Sequence, residues 1–417
     1  MCVNRGNVEF IFLNHAGYYI KTETYILIVD PWLEGKVFNQ GWDLLDNTTS
    51  NDHVIDQLER LGLPVYVWIS HEHPDHFSIA FIRRLRDSEV LTKCILYQKT
   101  RDRRVASYLS QLGFAVHELH GERFYFDENS WIKIFPHSSG DAFGVYVCDG
   151  MSLINLNDCV FNTEKDLREL RATVFQNVKT VDVLLLQFGF ANWVGNPGQD
   201  SVIKEAADKK INIINKMNSL LEPSVIIPFA SFSFFCTAFN RFLNEFQNSL
   251  TDVLASAKKF GFDSKIELVK PNDRVVLGAN TGVRERSSSR AQVVKHWELM
   301  SDTIPQRVSP TCVIDRARID EVQVAFDQFR SRLNSRFFYL PIFLESMRFI
   351  RPIEVCIIDA GEYIKLSYIK GWSGGDSKNP ETIMIDLDSL AFIFSADYGF
   401  NTILINSNIR PGSANAM

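Results

Sequence analysis

The sequence lacks the features that mark secreted, membrane-spanning or nucleic-acid-binding proteins. Its seven cysteines form no CxxC pair, which favours reduced, buried thiols and a cytoplasmic location. The longest apolar stretch, VIIPFASFSFFCTAF, is too short and too interrupted to cross a bilayer of about 30 Å. The start, MCVNRGNVEFIF, has no signal-peptide pattern. A net charge of −6 disfavours nucleic acid and anionic lipid as general partners. We therefore expect a soluble protein with a small-molecule substrate.

The 417 residues are too many for a single compact core, so a large domain and a smaller one are expected. Strand-like runs such as VEFIFL and VYVWIS alternate with helical ones such as VIDQLERLG, which predicts an α/β fold. The segment ANTGVRERSSSRAQ is polar and has no hydrophobic period. We predict a metal-binding catalytic domain over 1–278, a linker over 279–292, and a smaller C-terminal α+β domain over 293–417 whose role the sequence does not indicate.

Histidine is scarce, with nine residues in the chain, and three of them stand in one short segment, SHEHPDH. The segment follows the strand VYVWIS, so His71, His73, Asp75 and His76 are expected on a loop at the end of a strand. Imidazole and carboxylate suit zinc, iron or manganese, and the lack of a nearby thiolate argues against a structural cysteine site. The alternative is a helix-capping loop with solvated histidines. Four ligand-type side chains in six residues favour a metal site.

The order of the motifs resembles the metallo-β-lactamase fold superfamily, whose members carry an HxHxDH loop followed downstream by a His, an Asp and a final His. SHEHPDH matches that loop in full. NHAGYYIKTETYILIVDPWLEG is similar to the strands upstream of it, IFPHSSGDAFGVYV to the third motif and LINLNDC to the fourth. The NHAG and DPWL segments look most like the branch of ascorbate-6-phosphate lactonases, N-acylphosphatidylethanolamine phospholipase D and CMP-sialic acid hydroxylases. The resemblance covers roughly residues 8–277 and implies an αββα sandwich.

The resemblance also implies a ligand set for one or two divalent ions, with zinc the first expectation and iron or manganese the alternatives. His71, His73 and His137 would bind one ion. Asp75 and His76 would face a second.

Two carboxylates have further roles by the same resemblance, and a third has one in the expected mechanism. Asp158 would bridge the two ions, because a carboxylate can span two cations through its two oxygens. Asp30 would accept a hydrogen bond from the loop and fix the orientation of a ligand; the alternative is a turn aspartate before Pro31. In the expected mechanism, Asp75 would serve as a proton acceptor when it is not fully engaged with metal.

The chain departs from the pattern at the last motif. The matching stretch is SVIIPFASFSFF, which puts Ala230 where the final His is expected, and no histidine occurs between His137 and His296. Three readings remain open: a coordination position left to water or substrate, a substitute ligand such as Ser231 or Cys236, or a single-metal site.

Four other side chains are candidates for the pocket. His15, in LNHAG, is predicted on the active-site side or in a turn. Asp141 follows His137 and could orient it or bind substrate, although a Gly-Asp turn is the alternative. Asn192 and Trp193, in QFGFANWVGNP, could bind a sugar or base, and Trp193 could instead close the core.

These residues predict a metal-dependent hydrolase that cleaves a phosphodiester, ester or lactone of a small substrate, a sugar or nucleotide sugar among the candidates, through a metal-bound hydroxide. One alternative is an iron-dependent oxygenase component related to CMP-sialic acid hydroxylase. The chain has no Cys-x-His pair for a Rieske cluster, so that reading requires an electron-transfer partner. A second alternative is a binding protein with an inactive site.

Overall fold

The computed structural model describes residues 8–91, 93–279, 282–310, 316–376 and 379–412. Its strands are β1 Val8–Asn14, β2 Gly17–Lys21, β3 Ile26–Val29, β4 Trp42–Leu44, β5 Val65–Ile69, β6 Lys93–Gln98, β7 Ala115–Leu119, β8 Phe124–Tyr125, β9 Ser130–Pro136, β10 Ala142–Cys148, β11 Met151–Asn155, β12 Val183–Gln187, β13 Val225–Phe229, β14 Ser233–Phe235, β15 Arg274–Gly278, β16 Gly282–Arg286, β17 Ile353–Ile357, β18 Glu362–Ser367, β19 Gly371–Gly374, β20 Ile383–Ile385 and β21 Ile409–Arg410.

The helices are α1 Asn51–Leu61, α2 Ile79–Arg86, α3 Arg104–Gln111, α4 Glu164–Asn177, α5 Asp200–Leu221, α6 Leu250–Lys259, α7 Arg290–Ser301, α8 Ile304–Arg307, α9 Arg316–Arg336, α10 Leu340–Ser346, α11 Leu387–Ser395 and α12 Gly399–Ile405, with 3-10 turns at Arg241–Phe246 and Asp263–Lys265. None of these described helices is long and apolar enough to cross a membrane.

Two sheets packed face to face form the first part of the chain. One has eight strands in the order β16-β15-β1-β2-β3-β5-β6-β7, and the other has six in the order β13-β12-β11-β10-β9-β8. β1 is buried on both faces: Phe10 and Phe12 contribute to the core between the sheets, whereas Ile11 and Leu13 belong to the core under α1, α2 and α3. A strand covered on both sides reads as a continuous apolar run, as VEFIFL does. The predicted metallo-β-lactamase-like αββα sandwich is confirmed.

The two sheets approach closely at Gly144. A Cβ built at Gly144 on β10 would lie 2.3 Å from the indole of Trp68 on β5, and Trp68 is fully buried. We expect Gly144→Ala to lower the free energy of unfolding by about 1–3 kcal/mol through overpacking. Denaturant unfolding measures this, with Gly374→Ala as the control, because nothing lies within 4 Å of a Cβ there. Equal stability of the two variants would contradict this packing.

The prediction of an irregular linker over 279–292 is corrected by the structure. Residues 282–286 form β16, which pairs antiparallel with β15, and α7 begins with a Ser289 capping box. Trp297 of α7 stacks on Phe232 with ring centroids 4.0 Å apart. β16 is an edge strand with mostly exposed side chains, so its sequence is polar although its backbone is paired. Residues 280 and 281 lie outside the described part.

The last part of the chain has the predicted α+β character. Its five strands follow the order β19-β18-β17-β20-β21, and α9 and α11 pack on them through a separate apolar core. It contacts the sandwich through hydrogen bonds: Asn240 Nδ2 donates to the Asn406 carbonyl at 2.7 Å, and Asn406 Nδ2 donates to the Phe38 carbonyl at 2.7 Å. The division into two independent domains stays a prediction.

Candidate metal centre

The histidine loop lies where the sequence places it, between the end of β5 and α2. The Phe77 amide donates to the His73 carbonyl at 2.7 Å, which curls the loop, and Ser78 caps α2. His71, Asp75 and His76 are buried and His73 is half-buried. The edge of the sheet and the first turn of α2 therefore hold these side chains in position.

Asp30 lies beneath this loop and is fully buried. Its carboxylate accepts hydrogen bonds from the Ser70 amide at 2.8 Å and the Ser70 hydroxyl at 2.6 Å, and it lies 2.8 Å from His76 Nδ1. A proton on Nδ1 donated to Asp30 leaves His76 Nε2 free as a ligand atom. This is the orienting position that the sequence resemblance implies.

Among the described residues, three groups of donor atoms lie within 4.8 Å of one another. They are His71, His73 and Asp141; His71, His76 and Asp158; and His15, Asp75 and His76.

His76 joins the groups. Its Nε2 lies 3.6 Å from Asp75 Oδ2 and 3.5 Å from Asp158 Oδ2. The group that contains Asp158 shares His71 with one of the other groups and His76 with the other. The bridging role of Asp158 stays a prediction.

His15 belongs to the donor group that contains Asp75 and His76. It lies in the turn between β1 and β2, and its Nε2 is 3.5 Å from Asp75 Oδ2. The Ala230 amide donates to the His15 carbonyl at 2.8 Å. Ala230, the expected position of the final His, is therefore directly beside His15. The turn between β1 and β2 thus supplies an imidazole beside the position at which the resemblance implies the final histidine.

His137 lies outside the three donor groups. Its Nδ1 is 2.8 Å from the Ser139 hydroxyl, and its ring lies 4.9 Å from that of Phe161. A tight turn, closed by the Gly140 amide on the His137 carbonyl, brings Asp141 into the site instead, 3.4 Å from His71 Nε2. Asp141 occupies the place that the resemblance implies for His137.

Burial and neighbouring charges shift the pKa values of the centre in opposite directions. Burial alone would raise the pKa of Asp158, but the His76 imidazole holds it below its usual range. Burial would also lower the pKa of His76, yet Asp75, Asp158 and Asp30 raise it well above normal. Burial keeps the pKa of His71 well below its usual range. The carboxylates of Asp75, Asp158 and Asp30 therefore favour a positive charge at this point of the centre, which suits a bound cation.

Several buried atoms of the centre have no hydrogen-bond partner. They are His15 Nδ1, Asp75 Oδ1, His76 Nε2 and Asp158 Oδ1. A buried polar atom without a partner costs free energy. All four side chains belong to the converging donor groups, and their nitrogen and oxygen chemistry fits zinc, iron or manganese. The residues present therefore fit a divalent metal.

A cavity adjoins this centre on the side of His15, Asp75 and Asp158. Its wall includes Ala230 and Ser231 and the aromatic rings of Trp42, Phe190, Phe234 and Phe235. Trp42 is 7% exposed, and its indole N–H has no partner.

The other candidates serve the surrounding structure. The backbone amides of Asn192 and Trp193 donate to α12 carbonyls, and neither residue lines the cavity. The Ser231 hydroxyl accepts from the Phe188 and Gly189 amides. Burial raises the pKa of Cys236 to about 12, and its thiol donates to the Gln40 carbonyl.

Sequence reasoning missed Trp42, Gln187 and Gln247, which line the cavity. The sequence could have indicated Gln187, because it is a polar residue at the end of the apolar strand VDVLLLQ. It also missed Lys210 on α5. Burial lowers the pKa of that amine, while Asp158 and Asp141 act in the opposite direction. Nothing in its helical segment distinguishes Lys210 from its neighbours.

No protein-family model matches the chain. It is 30% identical over 166 residues to the cytidine monophosphate-N-acetylneuraminic acid hydroxylase of Xenopus laevis, covering 38% of this chain and 27% of the relative. It is 29% identical over 161 residues to the inactive form of that hydroxylase in Homo sapiens, covering 37% of this chain and 31% of the relative. The chain spans less than a third of the length of these curated relatives.

Solved structures with a similar arrangement include a possible metal-dependent hydrolase from Veillonella parvula DSM 2008. It is 17% identical, with a TM-score of 0.47, and the match covers 64% of this chain and 99% of that one. CmlA, a diiron β-hydroxylase from Streptomyces venezuelae, is 13% identical with a TM-score of 0.43, covering 66% of this chain and 54% of that one. The resemblance inferred from the motifs, to the metallo-β-lactamase fold and its CMP-sialic acid hydroxylase branch, is confirmed.

Proposed function

We propose that this chain is a metal-dependent enzyme that hydrolyses a phosphodiester, ester or lactone bond of a small molecule. The convergence of His15, Asp75, His76 and Asp158, each with a buried atom lacking a partner, carries the proposal. Burying such a cluster lowers the stability of the folded protein. A role in function is the usual reason for such a cluster.

Two groups of side chains would hold the metal. His71, His73 and Asp141 would hold one ion, whereas His15, Asp75 and His76 would hold a second. Asp158 would contribute to both. A bound divalent ion supplies Lewis acidity and lowers the pKa of water.

The chain's own residues would position the substrate and manage its proton. Asp75 Oδ1 has no hydrogen-bond partner and would accept a proton next to the cavity. Trp42 Nε1 would donate to an acceptor of the substrate. Phe190 and Phe235 would keep water out of the reacting region, which strengthens the electrostatic interactions there.

One observation favours a second candidate. The curated relatives are named hydroxylases, so an iron-dependent oxygenase with a separate electron donor is the alternative. An inactive binding protein would retain the fold without the metal.

Elemental analysis with activity assays on the same preparation separates these functions. We expect zinc or manganese and turnover on at least one of a phosphodiester, an ester and a lactone. Iron with no hydrolysis would replace the proposal by the oxygenase. A preparation that takes up no metal after incubation with zinc, manganese and iron would contradict both enzyme functions.

A further inference from the structure

An aromatic surface is exposed at the end of α9 and along α10, far along the chain from the metal centre. Phe338 is 92% exposed, Phe349 74% and Tyr339 66%. Phe343 and Met347, on one face of the α10 segment, are each 56% exposed. Single exposed apolar side chains are ordinary, but several in one stretch mark an interaction site. We call residues 337–349 the aromatic surface.

The backbone holds these rings outward at some cost. Phe338 and Tyr339 have φ values of 50° and 59°, in the left-handed region where a bulky residue is strained and glycine is preferred. The Tyr339 amide donates to the Asn334 carbonyl at 2.7 Å, which fixes this conformation at the end of α9. Two aromatic residues stand where glycine would be less strained, which indicates that their side chains serve a purpose.

The charge around the aromatic surface is positive. Arg336, Arg348 and Arg351 are exposed, and Arg336 forms a long ion pair with Asp397, at 3.8 Å. Glu345 is the one acidic residue from 336 to 351. Its carboxylate turns inward and accepts hydrogen bonds from the Ser367 hydroxyl at 2.5 Å and the Tyr368 amide at 2.6 Å.

We propose that the aromatic surface docks on an anionic lipid surface as a peripheral contact. Exposed aromatic rings beside arginines are the side chains that bind the interface of a bilayer, where the rings insert and the guanidinium groups meet anionic headgroups. The overall charge of −6 disfavours anionic lipid as a general partner, but it acts little on a local contact, because screening limits charge interactions to about 8 Å in physiological salt.

Charge also argues against a second copy of this chain as the occupant. A two-fold contact places the same surface on itself, so Arg348 and Arg351 of one copy would approach those of the other. The carboxylate that could have compensated, Glu345, is already bound within its own chain. An anionic bilayer supplies the opposite charge without requiring an acidic partner residue. The proposal is independent of the metal-dependent activity.

Sedimentation of the full chain with vesicles tests the proposal. We expect binding to vesicles of phosphatidylcholine with phosphatidylserine, weaker binding to phosphatidylcholine alone, and loss of binding in high salt. R348Q/R351Q should lower the partition coefficient by about fivefold per arginine, and F338S/F349S should lower it by at least about tenfold. Both pairs are exposed, so folding should be unaffected.

The matched controls are Phe260→Ser, which removes a 57% exposed ring elsewhere, and Arg101→Gln, an exposed arginine near α3. Both should bind vesicles like the unmodified chain. Equal binding to neutral and anionic vesicles, or unchanged binding of F338S/F349S, would overturn the proposal. So would an absence of binding to the anionic vesicles. If the unmodified chain then formed an oligomer in analytical ultracentrifugation that F338S/F349S dissociates, the surface would instead join copies of this chain.

Discussion

Replacing His73 by alanine or Asp158 by asparagine is expected to deplete the metal and to lower turnover by more than about 100-fold, because loss of residues that only support a ligand already costs 10–100-fold. His73 is half-buried and the Asp158 side chain is 24% exposed. Neither substitution should open a core cavity. The free energy of unfolding of the metal-free protein should therefore change little.

Elemental analysis, turnover and denaturant unfolding of the same preparations measure these effects. His120→Ala and Asp208→Asn change the same residue types at exposed positions and serve as controls. If either site variant kept full metal content and turnover, its residue would have no ligand role.

The second large effect is expected at His15. His15→Ala should reduce the metal content from two ions to one, because His15, Asp75 and His76 form one donor group, whereas the group of His71, His73 and Asp141 does not include it. His15→Gln keeps most of the side-chain volume at this buried position and should show the same loss.

His137→Ala is the matched comparison, since the sequence resemblance implies a ligand there and the structure places the ring beside Ser139 and Phe161. We expect it to keep both ions, whereas Asp141→Asn should lose one. Metal lost from His137→Ala and retained in His15→Ala would reverse this assignment and return the ligand set to the one implied by the motifs.

The sequence predicts those parts of the site that are local in the chain. SHEHPDH forms one loop after one strand, and Asp30 ends the neighbouring strand of the same sheet, so their proximity follows from parallel pairing. The sandwich itself follows from apolar runs that are buried on both faces.

The parts that the sequence could not settle depend on contacts between distant segments. His15 reaches the site because the β1–β2 turn meets the chain after β13, through the Ala230 amide. Neither hydrophobic periodicity nor motif spacing in the sequence predicts this contact. The tight turn at Gly140, which separates Asp141 from His137, is similarly a matter of backbone conformation.

The segment over 279–292 shows another limit of sequence patterns. Edge strands with one exposed side carry charged side chains, and α7 contributes just Val293 and Trp297 as fully buried residues. Judged by hydrophobicity alone, β16 and α7 therefore both resemble solvent-exposed chain without regular structure.

The proposed metal centre depends most on His15, which would replace the missing final histidine as a metal ligand. Anomalous X-ray diffraction from crystals of the metal-loaded protein tests this directly. We predict two anomalous peaks, with His15 Nε2 coordinating the one that Asp75 and His76 share. A second peak coordinated by other residues, with His15 turned away from it, would contradict this ligand assignment, as would a single peak held by His71, His73 and His137.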